Sequence, residues 1–275
     1  MVTLPAHPVV LAAATHPDDI EFCFSGTLLL LKAAGCKIHM WTLANGCCGD
    51  MTRSREETAR IRWAESQASA AVAGATMHAP LFDDLAVFYD RESLAAVSAV
   101  VREIRPHIIL THSPQDYMED HQNTCRLVVT AAFSRGMPNH ISHPPRATCS
   151  DPVRIYHAAP HGLHDGLGVP FQPDLLVDIE SVLPAKRRML ACHQSQQNWL
   201  ETTQGMEAYI EEMVSMAREM AGKHTFGPIY AEGWRRHAHL GFCPPDYNPL
   251  SALLAENIHS LTSLDNQLSQ PVSLP

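Results

Sequence analysis

A short apolar segment near the start of the chain places the strongest constraint on the fold. Residues 8–16 (PVVLAAATH) are apolar or small until the run stops at His16. A run this short without polar alternation is typical of a strand that is buried on both faces. Strands of this kind belong to parallel sheets whose two faces are covered by helices. The segment therefore predicts an α/β fold.

The segments that follow alternate between helix and strand patterns. Predicted helices cover residues 25–35, 55–75, 91–105 and 122–136, and predicted strands cover 37–45 and 107–113. Ser25 is a candidate N-cap for the first helix, and Gly74 is expected to end the second. This alternation implies βαβ units, so we expect a Rossmann-like, mostly parallel sheet with helices on both faces.

The second half of the chain is less regular, but no linker divides it. We therefore expect a single domain over residues 1–249 and a partly ordered C-terminal tail over residues 250–275.

Charge and cysteine usage narrow the classes of partner. The chain carries 29 acidic and 20 basic residues, for a net charge of −9, and no block of Lys or Arg forms a track. We therefore expect neither nucleic acid nor an anionic membrane surface as a partner, because both require concentrated positive charge. The longest apolar runs are far shorter than the about 20 residues that a membrane span needs. Eight cysteines without a C-x-x-C pair predict free thiols and a cytoplasmic location.

Polar side chains follow two of the predicted strands. His16, Asp18 and Asp19 come directly after the first strand, and the segment SPQDYMEDH, which ends at His121, comes after the strand over 107–113. Because the carboxyl ends of parallel strands meet at one edge of a sheet, we expect both segments at the same edge.

His16, Asp19 and His121 are candidate ligands for one metal ion per chain. Two imidazoles and one carboxylate, with a fourth position left open, are typical of catalytic Zn²⁺ sites. Other interpretations stay open, because Pro and Asp also favour simple turns, and a histidine at such a position is more often structural than a ligand.

Two further carboxylates accompany these candidate ligands. Asp18 is next to Asp19 and could carry protons as a general base and acid. Asp120 precedes His121 and could form hydrogen bonds with the ligands or with Asp18.

Several segments of the chain resemble the PIG-L/LmbE family of zinc-dependent N-deacetylases. The resemblance covers roughly residues 8 to 240 and rests on THPDDIE, SGTLL, ANGCCGD, RWAESQASAAVAGA, RPHIILTHSPQDYMEDH, KRRMLACHQSQ and YAEGWRR. It implies a Rossmann-like fold, one Zn²⁺ and hydrolysis of an N-acetyl group, commonly on an N-acetylglucosamine unit. It also implies that His16, Asp19 and His121 bind the metal and that Asp18 is the general base and acid.

The resemblance also makes Arg62, in the R-x-x-E segment, a candidate substrate contact. An alternative interpretation is a solvated helical arginine that pairs with Glu65 one turn later.

The chain departs from the family pattern at Met118. Many relatives carry a histidine two residues before the Asp of the D-H motif, where it stabilises an oxyanion, and Met118 cannot donate a hydrogen bond to an anion. We expect His237 or His239 to replace that histidine, because they follow a family-like segment. His112 and His161 are further candidates and are predicted to contact the substrate.

The sequence thus predicts a zinc-dependent hydrolase that removes an acetyl group from an N-acetylated amino sugar. Two alternatives stay open: a metal-dependent hydratase or amidase with a non-sugar substrate, and a non-catalytic protein that binds metal or sugar. Asp18 argues against the second alternative, because binding alone requires no proton carrier. The resemblance also implies self-association, so we expect a homo-oligomer.

Overall fold

The computed structural model of the chain describes residues 4–197, 209–223 and 227–261, and within them a single eight-stranded sheet. The strands are β1 (Val9–Ala14), β2 (Lys37–Thr42), β3 (Thr76–His78), β4 (Ile108–Thr111), β5 (Arg154–Ala158), β6 (Leu175–Asp178), β7 (Ala231–Arg236) and β8 (Ile258–Ser260). Their order across the sheet is β3-β2-β1-β4-β5-β7-β6-β8.

The described helices lie between these strands. They are α1 (Asp19–Cys23), α2 (Ser25–Ala33), α3 (Arg55–Ala73), α4 (Arg91–Ile104), α5 (Glu119–Ser134), α6 (Leu183–Leu190), α7 (Tyr209–Ala221) and α8 (Pro249–Leu253). None of these described helices is both long enough and apolar enough to cross a membrane.

Strand pairing confirms the predicted α/β class and its mostly parallel sheet. Strands β3, β2, β1, β4 and β5 pair in parallel. Strand β7 runs antiparallel to both β5 and β6, and β8 runs antiparallel to β6. The antiparallel pairs are therefore confined to one side of the sheet.

The chain changes direction across the sheet between β1 and β4. From β1 it proceeds outward to β2 and β3, and then returns to place β4 on the other side of β1. At such a switch point the two connections leave in opposite directions and open a crevice at the carboxyl ends of the strands, where ligands of α/β proteins bind. Both predicted site segments, after β1 and after β4, leave the sheet at this crevice.

Alternating side chains of β1 belong to separate hydrophobic cores on the two faces of the sheet. Val10 and Ala12 pack in one core with side chains of α2, α6 and α7, whereas Leu11 and Ala13 pack in the other with side chains of α4 and α5. All four side chains are fully buried. The continuous apolar pattern of this strand therefore follows from helices on both faces.

The N-terminus of α2 differs from the sequence prediction. Phe24 occupies the N-cap position, and the Ser25 hydroxyl donates instead to the Glu21 carbonyl oxygen at 2.8 Å. The first backbone N–H groups of the helix, from Gly26 and Thr27, each donate to the Glu232 carboxylate at 2.8 Å. A carboxylate from distant strand β7 thus satisfies the helix end, so Ser25 is not needed as a cap.

Two boundaries also differ from those predicted. Helix α5 begins at Glu119 rather than residue 122, so Asp120 and His121 lie in its first turn and not in a loop. Helix α8 begins at Pro249 and extends into the predicted tail, and edge strand β8 lies within that tail and pairs with β6. Residues 262–275 of that tail lie outside the described residues.

Candidate active site

The structure brings His16, Asp19 and His121 together at the switch point. Asp19 Oδ2 lies 3.6 Å from His16 Nδ1 and 3.4 Å from His121 Nε2, and the two ring nitrogens are 3.3 Å apart. Tetrahedral ligands about 2.0–2.1 Å from one ion are separated by about 3.3–3.4 Å. Two of the three separations match this range and the third, 3.6 Å, exceeds it by about 0.2 Å, so the donor atoms could share a single divalent cation.

The turn after β1 is built around the Asp19 carboxylate. Oδ2 of Asp19 accepts the backbone N–H of His16 at 2.7 Å and that of Thr15 at 3.2 Å. Asp18, between Pro17 and Asp19, adopts a left-handed backbone conformation with φ of 100°. A non-glycine residue with this φ is uncommon, and such residues concentrate at functional sites. This conformation makes the H-P-D-D segment a candidate functional segment.

On each of the two histidines, the ring nitrogen that faces away from Asp19 contacts a second carboxylate. Asp116 Oδ1 lies 3.0 Å from His121 Nδ1, and Asp120 Oδ2 lies 3.3 Å from His16 Nε2. When each carboxylate accepts the N–H of the outward ring nitrogen, the other nitrogen keeps its lone pair toward Asp19. Of the two partners predicted for Asp120, the structure thus places the candidate ligand His16, rather than Asp18, beside it.

Asp116 is a site residue that the sequence analysis did not identify. Its side chain is completely buried, and it lies five residues before His121, in the connection between β4 and α5. An acidic residue just upstream of a candidate ligand histidine is the signal that could have identified it.

The charges around this cluster favour a cation. Burial alone would raise the pKa of Asp19, but the charge of His121 and a hydrogen bond with His16 hold it well below its usual value. Burial alone would lower the pKa of His16, but hydrogen bonds to Asp120 and Asp19 raise it to about 10. Ionised carboxylates thus surround the two imidazoles. The negative charge that favours protons on these rings would also favour a divalent cation between them.

The His112 side chain packs against this cluster and contacts the turn after β1. Its Nε2 accepts the backbone N–H of Thr15 at 3.0 Å, and its ring stacks on His121 with centroids 4.1 Å apart. Burial lowers the pKa of His112, which keeps the ring neutral and able to accept that bond. His112, Asp116 and His121 form a second group close enough to share an ion, but the hydrogen bond with Asp116 already occupies His121 Nδ1.

Asp18 is held by two groups that project from distant helices. The Tyr209 hydroxyl donates to Asp18 Oδ2 at 2.5 Å, and an Arg62 guanidinium nitrogen lies 3.2 Å from the same oxygen. Arg62 also donates to the Pro17 carbonyl oxygen. Burial raises the pKa of Asp18, although Arg62 and Tyr209 oppose the shift. Tyr209 was not identified from the sequence, because it lies 191 residues after Asp18.

The alternative interpretation of Arg62 as a solvated partner of Glu65 is wrong. Arg62 is only 3% exposed, and Glu65 instead accepts the backbone N–H and the hydroxyl of Ser195 at 2.8 and 2.6 Å. The loop with the sequence ANGCCGD packs against Arg62, and a Cβ on Gly46 would lie 2.6 Å from Arg62 Cδ. Glycine at this position, where φ is 76°, allows the loop to approach Arg62 closely.

The cluster and Asp18 line a cavity of about 440 Å³. Its wall also includes Phe22, Tyr117, Met118 and His161. The His161 ring packs edge-on against Phe22, with centroids 5.0 Å apart, and its nitrogens have no hydrogen-bond partner within the described part of the chain. His161 is therefore available to a molecule in the cavity.

His237 and His239 are not brought to this cavity. Strand β7 runs antiparallel to β5, so the chain beyond it moves back along β5, and the His237 N–H donates to the Ile155 carbonyl oxygen at 3.0 Å. His237 Nδ1 lies 2.9 Å from His157 Nε2, and both rings line a separate cavity. Neither His237 nor His239 is therefore a candidate for a role beside the His16, Asp19 and His121 cluster.

The fold and the clustered ligands define an α/β protein with a candidate metal centre at its switch point. The sequence profile of the family described as GlcNAc-PI de-N-acetylase matches residues 11–132. The diacetylchitobiose deacetylase of Thermococcus kodakarensis is 31% identical over 194 residues, which are 68% of this chain and 69% of that protein. The chain belongs to the PIG-L (LmbE-like) family, as its motifs predict.

Two further comparisons bear on the fold and on the possible reaction. The structure of N,N'-diacetylchitobiose deacetylase from Pyrococcus horikoshii superimposes with a TM-score of 0.71 at 23% identity, covering 88% of each chain. The 4-oxalmesaconate hydratase of Pseudomonas putida is 24% identical over 239 residues, which are 81% of this chain and 86% of that protein. Members with this fold thus include both deacetylases and a hydratase.

Proposed function

We propose that this protein is a metal-dependent hydrolase that removes the acetyl group from an N-acetylated amino sugar. The observation that carries the proposal is the position of Asp18, a carboxylate only 13% exposed that Arg62 holds beside the His16, Asp19 and His121 cluster. The deacetylase relatives support the acetamide as the reacting group, since the one with 31% identity is named for diacetylchitobiose and another for a glucosaminyl inositol.

His16, Asp19 and His121 are proposed to hold one Zn²⁺. Two neutral imidazoles and a carboxylate are the donor set of catalytic zinc, and the separations of their atoms match one ion. When bound, the ion supplies a Lewis acid and lowers the pKa of a coordinated water.

Asp18 is proposed to move the proton of the attacking water to the nitrogen of the leaving amine. Arg62 and Tyr209 both bind its Oδ2, which fixes the carboxylate and leaves Oδ1 to exchange the proton. Asp120 and Asp116 hold the rings of His16 and His121 in the orientation that the cluster requires.

His161 is proposed to donate a hydrogen bond to the carbonyl oxygen of the amide as negative charge develops on it. Met118 occupies the position where relatives carry a histidine, and it also lines the cavity. Among the imidazoles that line the cavity, His16, His112 and His121 are engaged with one another and with carboxylates or backbone, which leaves His161 for this task.

The cavity suits a small sugar. Its volume of about 440 Å³ falls within the range of small-molecule sites. Phe22 and Tyr117 offer apolar surfaces on its wall.

Acetate release from a panel of N-acetylated sugars tests the proposal. The zinc-loaded protein should release acetate and free amine in equal amounts from N-acetylglucosamine, diacetylchitobiose or N-acetylglucosaminyl inositol. Absence of acetate from every member of the panel, with at least one zinc per chain confirmed by metal analysis, would contradict it.

A hydratase with an unsaturated carboxylic acid substrate is the second candidate, favoured by the relative with that activity and by Met118. Such a substrate needs cationic partners for its carboxylates. Arg62 is the only Arg or Lys among the described residues that line the cavity, and Asp18 already neutralises it. Loss of the conjugated absorbance of an unsaturated dicarboxylic acid, without acetate release from the sugars, would favour the hydratase.

We also propose that the chain is cytoplasmic and self-associates. All eight cysteines are free, which suits a reducing compartment. Leu85 and Phe88 expose 67% and 59% of their surface, which suits a contact between copies. Light scattering during size-exclusion chromatography would measure the oligomeric state.

A further inference from the structure

A second group of metal-binding side chains lies on the wall of the same cavity. Cys47 and Cys48, in the connection between β2 and α3, place their Sγ atoms 4.0 Å apart. Asp84, in the connection after β3, contributes a carboxylate oxygen, and the ligand atoms of the three residues lie within 4.8 Å of one another. None of these side chains takes part in the proposed hydrolysis.

The backbone of the loop fixes this group in place. Asp84 Oδ1 accepts the N–H of Gly46 at 2.7 Å, and Oδ2 accepts the N–H of Cys48 at 2.8 Å. Asp84 is 7% exposed, and each of its oxygens retains a lone pair after accepting one bond. The carboxylate is therefore positioned before any ligand arrives, and it holds the loop that carries both thiols.

The separation of the two sulfurs matches a shared ion. Two sulfurs bound about 2.3 Å from one tetrahedral Zn²⁺ lie about 3.8 Å apart. The observed separation of 4.0 Å differs from this by only about 0.2 Å. Cys48 is exposed and Cys47 is buried, so an ion could enter from the Cys48 side.

The charges near the thiols favour a cation over two protons. Burial raises the pKa of Cys47 to about 11, and the negative charges of Asp84, Cys48 and Asp83 contribute to the shift. Arg55 lies on the outer side, 3.5 Å from Cys48 Sγ, where it pairs with Asp83. A divalent cation between the sulfurs would balance these negative charges from within the cluster.

We propose that Cys47, Cys48 and Asp84 form a second cation site, selective for thiophilic divalent ions such as Zn²⁺ or Cd²⁺. Binding forms two metal–sulfur bonds and one metal–oxygen bond, and it releases the two thiol protons to solvent. Cys48 and Asp84 line the cavity, and Gly46 packs on Arg62. An ion at this site therefore occupies one wall of the cavity, and excess thiophilic metal should inhibit a reaction there.

Cadmium titration of the metal-free, reduced protein tests this site directly. Bonds between Cd²⁺ and thiolates give a charge-transfer absorption in the ultraviolet, whereas the His16, Asp19 and His121 cluster contains no sulfur and is silent in that band. We expect the amplitude of the band at saturation to correspond to one Cd²⁺ bound by two thiolates per chain. Cys47→Ser and Cys48→Ser should each weaken binding at least tenfold, because the remaining thiol and carboxylate form an incomplete site.

Two further variants separate this site from other cadmium sites. Cys192→Ser removes a thiol outside the cluster and should leave the band unchanged. His121→Ala disrupts the first cluster and should also leave the band unchanged.

A band that persists in the Cys47→Ser and Cys48→Ser variants, or no band in the wild-type protein, would overturn the proposal. Loss of the band in His121→Ala would also overturn it, since cadmium would then bind at the first cluster together with a nearby thiol such as Cys23. These readouts need no enzymatic activity, so they stand independently of the proposed hydrolysis.

Discussion

Lys186 and Glu232 form a buried ion pair, with Lys186 Nζ 2.6 Å from Glu232 Oε1. Their side chains are 1% and 4% exposed. Lys186 Nζ also donates to the Phe22 carbonyl oxygen, and Glu232 accepts the first N–H groups of α2. The pair therefore joins three family-like segments, SGTLL, KRRML and YAEGW, that are far apart in the sequence.

Lys186→Met should destabilise the protein by about 3–5 kcal/mol, because it leaves the Glu232 charge buried without its partner. The double variant Lys186→Met/Glu232→Gln should recover part of this loss, since no uncompensated charge remains. Urea unfolding of both variants measures the effect. If the single variant were as stable as the wild type, the pair would not have the structural role described.

Asp116→Asn should weaken zinc binding about 10–100-fold, because the amide no longer holds His121 Nδ1–H as a carboxylate does. Competition with a chelating dye measures the affinity. Asp165→Asn, in a loop outside the cluster, is the matched control and should bind zinc as the wild type does. Equal affinities of the two variants would show that Asp116 does not orient the ligand.

Asp18→Asn should bind as much zinc per chain as the wild type and lower kcat for acetate release about 10²–10⁴-fold, because an amide cannot take the proton. The Tyr209 hydroxyl can still donate to the new side chain, so the fold should be kept. Metal analysis and acetate release on the same sample measure both properties. Retention of most of the rate would remove Asp18 from the proposed mechanism.

His161→Ala should lower kcat about 10²–10³-fold, with a smaller change in KM, because a donor to the developing oxyanion acts mainly in the transition state. The control is His164→Ala, which removes an exposed histidine three residues later and should leave kcat unchanged. A change in KM alone for His161→Ala would indicate ground-state substrate binding and not oxyanion stabilisation.

His157 should make the free energy of unfolding depend on pH. Burial lowers the pKa of His157 to about 4, and its ring nitrogens lie 2.8 Å from the His112 carbonyl oxygen and 2.9 Å from His237 Nδ1. An unfolded histidine has a pKa of about 6.5, so the unfolded state takes up this proton first as the pH falls. The stability due to His157 is therefore fully present above about pH 6.5 and is lost as the pH falls toward about 4.

Between about pH 7.5 and about pH 5, the wild type should lose about 2 kcal/mol more unfolding free energy than His157→Gln does. Urea unfolding of both proteins at both pH values measures the difference. Subtracting the loss seen in the variant removes the contributions of the other titrating groups. Parallel losses in the two proteins would contradict the prediction.

The sequence could predict the parts of the site that depend on parallel strands. His16, Asp19 and His121 follow strands whose carboxyl ends must meet, and the alternation of patterns indicated those strands. Helix α3 also ends as predicted, at Gly74, where φ is 60°. These predictions depend on local patterns and on one general property of parallel sheets.

The contacts made by distant segments could not be predicted in the same way. Tyr209 reaches Asp18 from a helix 191 residues away, and no local pattern indicates that approach. His237 was expected at the cavity because of nearby family-like residues, but the direction of β7 in the sheet decides its position. Periodicity indicates that a segment is a strand and does not indicate whether it runs parallel or antiparallel to its neighbours.

His16 and His121 approach to 3.3 Å although 105 residues separate them in the chain. An ion shared between them would tie the first crossover connection to a later one, as a covalent cross-link does. Bound metal should therefore raise the thermal unfolding temperature, because the unfolded chain cannot keep the ligands together. A chain in which β4 had not yet paired with β1 could bind the ion only weakly. Tight metal binding would therefore indicate that the central strands of the sheet have paired.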